Sequence, residues 1–182
     1  SNYPGLFAIG SESGEEIWFA PWNDPSDGWR HGLIESRDLV AAVDLHGRAR
    51  LVRLETGEVV ATTMLPEPIG EIVPSFSGEE LLAVGELGNL YVLDVPTLGV
   101  LRETDTGSRS CRSGVWLSDG RIVVGTKEGQ VLVFGSDLEP VGSVYENDSV
   151  AIRVARTEDD RLVAVGFGEG RTVILRSQDW MV

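Results

Sequence analysis

The chain has 182 residues, with 15 Lys or Arg against 29 Asp or Glu, so its formal net charge is −14. Such an acidic surface repels nucleic-acid phosphates and anionic lipid headgroups, and the basic residues are scattered rather than gathered into a patch. Apolar residues make up 42%, enough for a packed core, but no apolar run reaches the ~18–20 residues of a membrane helix. We therefore predict one domain over 1–182, or a segment of a larger one, that binds neither nucleic acid nor membrane.

Cys111 is the only cysteine, which excludes an internal disulfide and a thiolate metal cluster. We interpret it as a buried, unreactive thiol. The first residues, SNYPGLFAIG, contain neither a basic region nor a long apolar segment, so we expect no signal peptide. These features together favour a cytoplasmic protein.

A hairpin-like unit recurs along the chain, near 6–20, 39–53, 81–94, 122–135 and 162–176. A glycine marks the turn of each unit, and the last four of these glycines are 41 residues apart: Gly14, Gly47, Gly88, Gly129 and Gly170. The fourth residue after each glycine is apolar, namely Trp18, Leu51, Val92, Val133 and Ile174. So is the fifth, namely Phe19, Val52, Leu93, Phe134 and Leu175. Strands apolar on both faces are predicted to lie between packed sheets.

Further strands fit between these hairpins. Outer strands are predicted at 57–64, 99–104 and 140–146, and inner strands within 71–80, 113–120 and 151–160. Four strands per repeat of about 41 residues, with no segment typical of a helix, predict an all-β fold, a β-propeller of about five four-stranded blades.

The first and last units are incomplete. The first begins at its second strand and has a shortened or missing outer strand between Ala20 and Leu33. The last leaves little length for its fourth strand. Two interpretations remain open: a five-bladed ring that closes imperfectly, or an arc completed by another segment, copy or chain. We favour the arc.

The segment VWLSDGRIVVGTKEGQVLVFGSDLEPV (115–141) resembles a blade of the WD-repeat (WD40) family. LSDG stands at the turn between the first and second strands, and TKEG between the second and third; 72–100 and 154–176 follow the same scheme. The family's Trp-Asp and Gly-His signatures are absent, so its His–Asp network is not implied for any residue here. LETGEVVA (54–61) resembles the quinoprotein-like propellers equally well, and that class is our second choice. The WD40 resemblance implies protein partners bound on the rim or a flat face.

The glycine-rich stretch VAVGFGEGRTVIL (163–175) has the appearance of a phosphate loop. A dinucleotide site needs a helix after the glycines, whereas TVIL favours a strand, and no Gly-Lys-Ser/Thr follows for a P-loop. We therefore expect no nucleotide and no other cofactor.

Asp44 and His46 share one turn and could suggest acid–base catalysis. The matching turns contain no such pair, so we interpret His46, like His31, as an exposed loop residue. Two histidines and one cysteine make a transition-metal site unexpected. The acidic runs do not match a calcium loop and are interpreted as solvated turns: Glu15–Glu16, Glu79–Glu80 and Glu158–Asp160.

Three tryptophans are candidate partner-binding residues. Trp22 and Trp29 fall in the irregular loop of the first unit, and Trp180 lies near the C-terminus. They either fill the space left by a shortened strand or anchor a partner, since tryptophan is common at interface hot spots.

Our first hypothesis is a non-catalytic protein-interaction scaffold that acts within a larger assembly. Basic proteins would complement its charge, and self-association or completion by another propeller segment is a further expectation. The competing hypothesis is a sensor or enzyme propeller that binds a small molecule at the central channel. Its candidate residues are Arg112, Arg153 and Arg156.

Overall fold

The computed structural model describes residues 5–9, 12–21 and 29–180, and these form antiparallel sheets joined by tight turns. The first sheet has two strands, β1 (Gly5–Ile9) and β2 (Glu16–Pro21). The second consists of β3 (Trp29–Ile34), β4 (Leu39–Asp44), β5 (Arg48–Arg53) and β6 (Val59–Met64). The third consists of β7 (Ile69–Pro74), β8 (Glu80–Gly85), β9 (Asn89–Asp94) and β10 (Val100–Asp105).

The fourth sheet again has four strands, β11 (Cys111–Trp116), β12 (Ile122–Thr126), β13 (Gln130–Phe134) and β14 (Pro140–Glu146). The fifth has three, β15 (Ala151–Arg156), β16 (Leu162–Phe167) and β17 (Thr172–Arg176). Strands pair in chain order within each sheet. Short 3-10 turns occur at Glu35–Arg37 and Ser177–Trp180. No helix in the described part of the chain is long and apolar enough to cross a membrane.

Successive sheets stack as the blades of a β-propeller, because each central strand is apolar on both faces. In the third blade, Leu81 and Leu93 pack against Leu51 of the second blade. Their neighbours along the strands, Leu82 and Val92, pack against the fourth blade. Alternate residues point to opposite faces of a strand, so one continuous apolar strand contributes to two separate cores.

The inner strands β3, β7, β11 and β15 lie side by side in that order. The first sheet packs on the second through Ala20, Val40 and Val52, and Trp18 Nε1 donates to Leu54 O at 2.6 Å. The apolar cores therefore join blades one to five in succession, and none among the described residues joins the fifth blade to the first.

The all-β propeller architecture predicted from the repeat is confirmed, and within the described residues the first sheet has two strands and the fifth has three. The turn glycines have the positive φ values that the tight turns require, for example +85° at Gly47 and +100° at Gly88. The prediction that both apolar positions after the glycine are buried is wrong for Ile174, which is 57% exposed. The reason is that no sheet follows the fifth blade among the described residues.

Candidate functional site

Within residues 5–9, 12–21 and 29–180, no strand pairs with the outer edge of the fifth blade. Strand β17 pairs with β16 on one side only, whereas the third strand of each complete blade also pairs with a fourth. Phe167 N donates to Arg171 O at 2.7 Å and Ser177 N donates to Arg161 O at 3.1 Å. Because antiparallel strands bond through alternate residues, the N–H and C=O groups of Thr172, Ile174 and Arg176 point away from β16.

The surroundings of the turn glycines differ between the complete blades and the fifth blade in the same way. In the complete blades their carbonyls accept from the chain that leaves the fourth strand, from Leu65 N to Gly47 O at 2.8 Å, for instance. A Cβ placed on Gly88 or Gly129 would strike the carbonyl of Ser108 or Asn147, respectively. A Cβ on Gly170 would meet nothing within 4 Å. No described residue occupies the corresponding space beside Gly170.

One face of the fifth blade is uncovered as well. Val163 and Val165 point to the fourth blade and are buried with its core. Ala164 pairs with Ile174 on the opposite face. At the position equivalent to Ile174, Val133 of the fourth blade is fully buried, and the apolar side chains of Ile152 and Leu162 are also exposed. Apolar residues of the kind that are buried in the complete blades are therefore exposed on this face of the fifth blade.

Two clefts run between β14 of the fourth blade and the outer edge of β17. The larger, about 570 Å³, is lined by Val144, Leu175 and Trp180, with Arg176 and Asp179 at its margin. The second, about 480 Å³, is more polar, and its lining includes Tyr145, Glu146, Asp148 and Arg171.

A charged position recurs on the inner strands. Arg30, Glu71, Arg112 and Arg153 follow one another at intervals of 41 residues. Arg30 Nε donates to Gly70 O at 2.8 Å, next to Glu71. The recurrence is visible in the sequence, but only the fold shows that two of these residues, Glu71 and Arg153, are in contact.

The buried carboxylate of Glu71 links three blades. It accepts from Ser113 Oγ at 2.6 Å and from Gly114 N at 3.0 Å, both on the fourth blade. Its other oxygen lies 2.8 Å from Arg153 Nη1 of the fifth blade. Ser113 Oγ in turn accepts from Val154 N at 2.9 Å. This network fixes the inner strands relative to one another.

The three arginines predicted for the central channel have different contacts in the structure. Arg153 binds Glu71, and Arg112 is exposed without a hydrogen bond or ion pair to any residue in the described ranges. Arg156 is engaged elsewhere: its Nη1 lies 2.7 Å from Asp160 Oδ1, and its guanidinium lies 4.1 Å from the centre of the Phe76 ring. The inner strands thus hold Arg153 against Glu71, which sequence reasoning missed, and no described contact joins Arg112 to either residue.

The three candidate tryptophans are placed differently. Trp22 lies outside the described residues, and Trp29 begins β3 but its side chain also lies outside the description. Trp180 is 9% exposed and packs with Val163 and Phe167, next to the larger cleft. A partner-binding role for the three stays a prediction.

Polar residues of the turns have mainly structural contacts. Asp44 is buried, and its Oδ1 accepts from the backbone N of His46 at 2.9 Å and of Arg48 at 2.8 Å. His46 and His31 are exposed, as predicted. The interpretation of the acidic runs as solvated turns is wrong for Asp160, which is buried because it accepts from Ser118 N and pairs with Arg156.

Cys111 is fully buried, which confirms the prediction. Burial raises the pKa of its thiol to about 11, although a contact with Thr106 Oγ1 at 3.5 Å acts in the opposite direction. At neutral pH the thiol is protonated and shielded, so it cannot serve as a nucleophile.

Comparison with known proteins gives distant similarities. No protein-family model matches the chain. It is similar to the eukaryotic translation initiation factor 3 subunit I of Meyerozyma guilliermondii, with 26% identity over 156 residues, covering 69% of this chain and 43% of that protein. The Candida albicans subunit I is 24% identical over 214 residues, and this match covers 96% of this chain and 59% of that protein. The chain thus spans about half the length of these curated relatives.

Among solved structures, the computationally designed Ika4 protein superposes with a TM-score of 0.71 at 13% sequence identity. The match covers 83% of this chain and 92% of the designed one. At this identity the likeness concerns the fold alone.

Proposed function

We propose that this chain is a non-catalytic protein-interaction scaffold that acts within a larger assembly in the cytoplasm. The observation that carries the proposal is the apolar surface of the fifth blade, where Ile174 is left exposed by the described residues at a position that is buried in the complete blades. Apolar surface of this kind typically marks a protein interface. The WD40-like repeat and the similarity to proteins named as subunits of a translation initiation factor support the same role.

Size analysis in an extract of the producing cells tests this proposal. The chain alone has a mass of 19.7 kDa, and we expect it to elute far above that mass. Ile174→Glu should shift it to the monomer position, because a buried carboxylate without a partner destabilises an interface. Leu101→Glu is the matched control, since Leu101 is about equally exposed but lies on the outer strand β10. Elution of the unaltered chain as a monomer would contradict the proposal.

The charge of the partners is also a proposal. A net charge of −14 favours encounter with basic proteins, which should associate faster at low salt than at high salt. An association rate that does not depend on salt would count against this preference.

A second candidate function is the binding of a small anion at the inner strands. Exposed Arg112, which has no described partner, and Arg153 beside Glu71 favour it. Calorimetric titration with phosphate and with citrate tests it. Binding heat that disappears in the double variant Arg112→Ala/Arg153→Ala is the expected result, and no heat with the unaltered protein would contradict this function.

A further inference from the structure

We propose that a cleft between the second and third blades binds a small organic acid, a monocarboxylate with an aliphatic or aromatic body. Its carboxylate lies between Arg37 and Arg53, and its apolar body lies on the floor of the cleft. The site shares no residue with the fifth blade or with Arg112 and Arg153 of the inner strands. The inference therefore goes beyond the proposed scaffold function and does not depend on it.

The cleft has the size and composition of a small-ligand site. Its volume is about 360 Å³, and it is lined by Arg37, Leu39, Arg53, Val60, Val95 and Pro96. Leu39 and Val95 are buried in the apolar core that joins the two blades, and they form the floor. Val60 and Pro96 are exposed at the sides. Small ligands typically bind in clefts of about 300–1,000 Å³ that are mostly apolar and have a few polar groups to orient the ligand.

The cleft opens from an interface between two complete blades. The second and third blades each have four strands. Leu39 and Arg53 stand opposite each other on β4 and β5, so their side chains share a face of the sheet. Leu39 packs towards the third blade, whereas its neighbour Val40 packs towards the first sheet. A sheet stacked beyond the first or the fifth blade would therefore lie against other faces than those that bound this cleft.

The two arginines keep most of their hydrogen-bonding capacity. Arg37 Nη2 lies 3.4 Å from Glu79 Oε1, and Arg53 Nε lies 3.4 Å from Glu58 Oε2. The side chains of Glu79 and Glu58 are 68% and 64% exposed, and ion pairs at such an exposed surface contribute little to stability. Each guanidinium has five N–H donors and uses one of them in these contacts. A ligand carboxylate that accepts two N–H bonds can therefore compete with the glutamates.

The described lining of this cleft has two positive side chains and no carboxylate, although the net charge of the chain is −14. The two clefts beside β17 differ, because Asp179 lines the larger and Glu146 and Asp148 line the second. The repeat does not explain the arginines, since at intervals of 41 residues Arg37 is followed by Gly78, Asp119 and Asp160, and Arg53 by Asp94, Gly135 and Arg176. The same turns form in those blades without the pair, so the fold does not require it.

A bulge in β6 favours a small ligand over an extended peptide. Val59 pairs with Val52 and Ala61 pairs with Leu51, so Val60 between them has no partner on β5. Such a bulge interrupts the regular row of N–H and C=O groups along the outer edge, and strand addition is disfavoured there. The side chain of Val60 instead lines the cleft, where it can contact the apolar body of the acid.

An NMR titration with 4-phenylbutyrate tests the site, because this ion combines one carboxylate with an apolar body. We expect saturable shifts of the methyl signals of Leu39 and Val60, with a dissociation constant of about 0.1–1 mM, since the negative charge of the whole chain opposes the approach of an anion. Two control ligands should bind at least about tenfold more weakly. 4-Phenylbutanol lacks the charge, and acetate lacks the apolar body.

Variants of the two arginines locate the carboxylate. Arg37→Gln and Arg53→Gln should each weaken binding about fivefold, and the double variant should show no saturable binding. Arg161→Gln is the matched control, because Arg161 Nε also lies 3.4 Å from a carboxylate oxygen, Asp159 Oδ2, but outside this cleft, and it should leave binding unchanged. Thermal unfolding of each variant checks that it is folded.

No saturable shift up to about 10 mM 4-phenylbutyrate, or shifts that persist in the folded double variant, would overturn the proposal. Equally tight binding of 4-phenylbutanol would overturn it too, since the carboxylate would then not be recognised. Much tighter binding of the peptide acetyl-Gly-Gly-Phe would replace the free acid by the end of a partner's chain and so contradict it. Ile174→Glu, which tests the scaffold function, leaves this cleft unaltered and should bind 4-phenylbutyrate normally, so the two proposals fail independently.

Discussion

Arg153 Nη1 lies 2.8 Å from Glu71 Oε1, although the two residues belong to the fifth and the third blade. The fourth blade lies between them in the chain and contributes Ser113 and Gly114 to the same carboxylate. Inner strands of three blades thus converge on one buried charge. Such a charge stabilises only while its hydrogen bonds are complete.

Glu71→Ala should lower the free energy of unfolding by about 2–4 kcal/mol, because it leaves buried donors on Ser113 and Gly114 without an acceptor. Arg153→Ala should cost less than about 1 kcal/mol, since its side chain is 68% exposed and Glu71 keeps its other two bonds. Urea denaturation of both variants measures the difference. Equal losses would show that the inner-strand network is not what holds these blades together.

Leu51→Ala and Ile174→Ala compare the same repeat position in a covered and an uncovered blade. Leu51 is fully buried in the core between the second and third blades, so its truncation should cost about 2–5 kcal/mol. Ile174→Ala should cost less than about 1 kcal/mol, because little of its side chain leaves a packed environment. A large loss at Ile174 in the isolated chain would mean that its face is covered in solution.

Gly129→Ala and Gly170→Ala compare two turn glycines with the same positive φ. Gly170→Ala should cost about 1–2 kcal/mol, the price of a left-handed alanine. Gly129→Ala should cost more, because its Cβ would strike the Asn147 carbonyl and displace the chain that leaves β14. Thermal unfolding of the two variants provides the measurement. The reverse order would place a returning chain at the fifth blade.

The buried thiol of Cys111 should make the free energy of unfolding fall as the pH rises above about 9. Burial raises the pKa of its thiol from 9.0 to about 11, so between these values the unfolded chain loses a proton that the folded one keeps. Its contribution is complete below about pH 9 and is lost progressively towards pH 11. Denaturation at several pH values, compared with Cys111→Ala, isolates this slope; parallel curves for the two proteins would refute it.

The repeat made most of the fold predictable. Glycines at fixed spacing, each between apolar strands, indicate the hairpins. The glycine permits the left-handed backbone of a tight turn, and strands that are apolar on both faces are typical of sheets packed between other sheets. The predicted inner strands at 71–80 and 113–120 begin two residues late, because the contacts that bury Ile69 and Cys111 are made only in the folded chain. The burial of Asp160 was not predicted for the same reason, because its contact with Ser118 forms only in the folded chain.

By itself, the sequence determined the strand periodicity, the turn positions and the blade architecture, since all of these depend on local patterns that recur every 41 residues. Only the tertiary structure decided which members of a repeated position are covered. Val133 and Ile174 are indistinguishable as apolar strand residues, yet one is fully buried and the other 57% exposed. Burial depends on whether a neighbouring sheet is present, and a local sequence pattern does not contain that information.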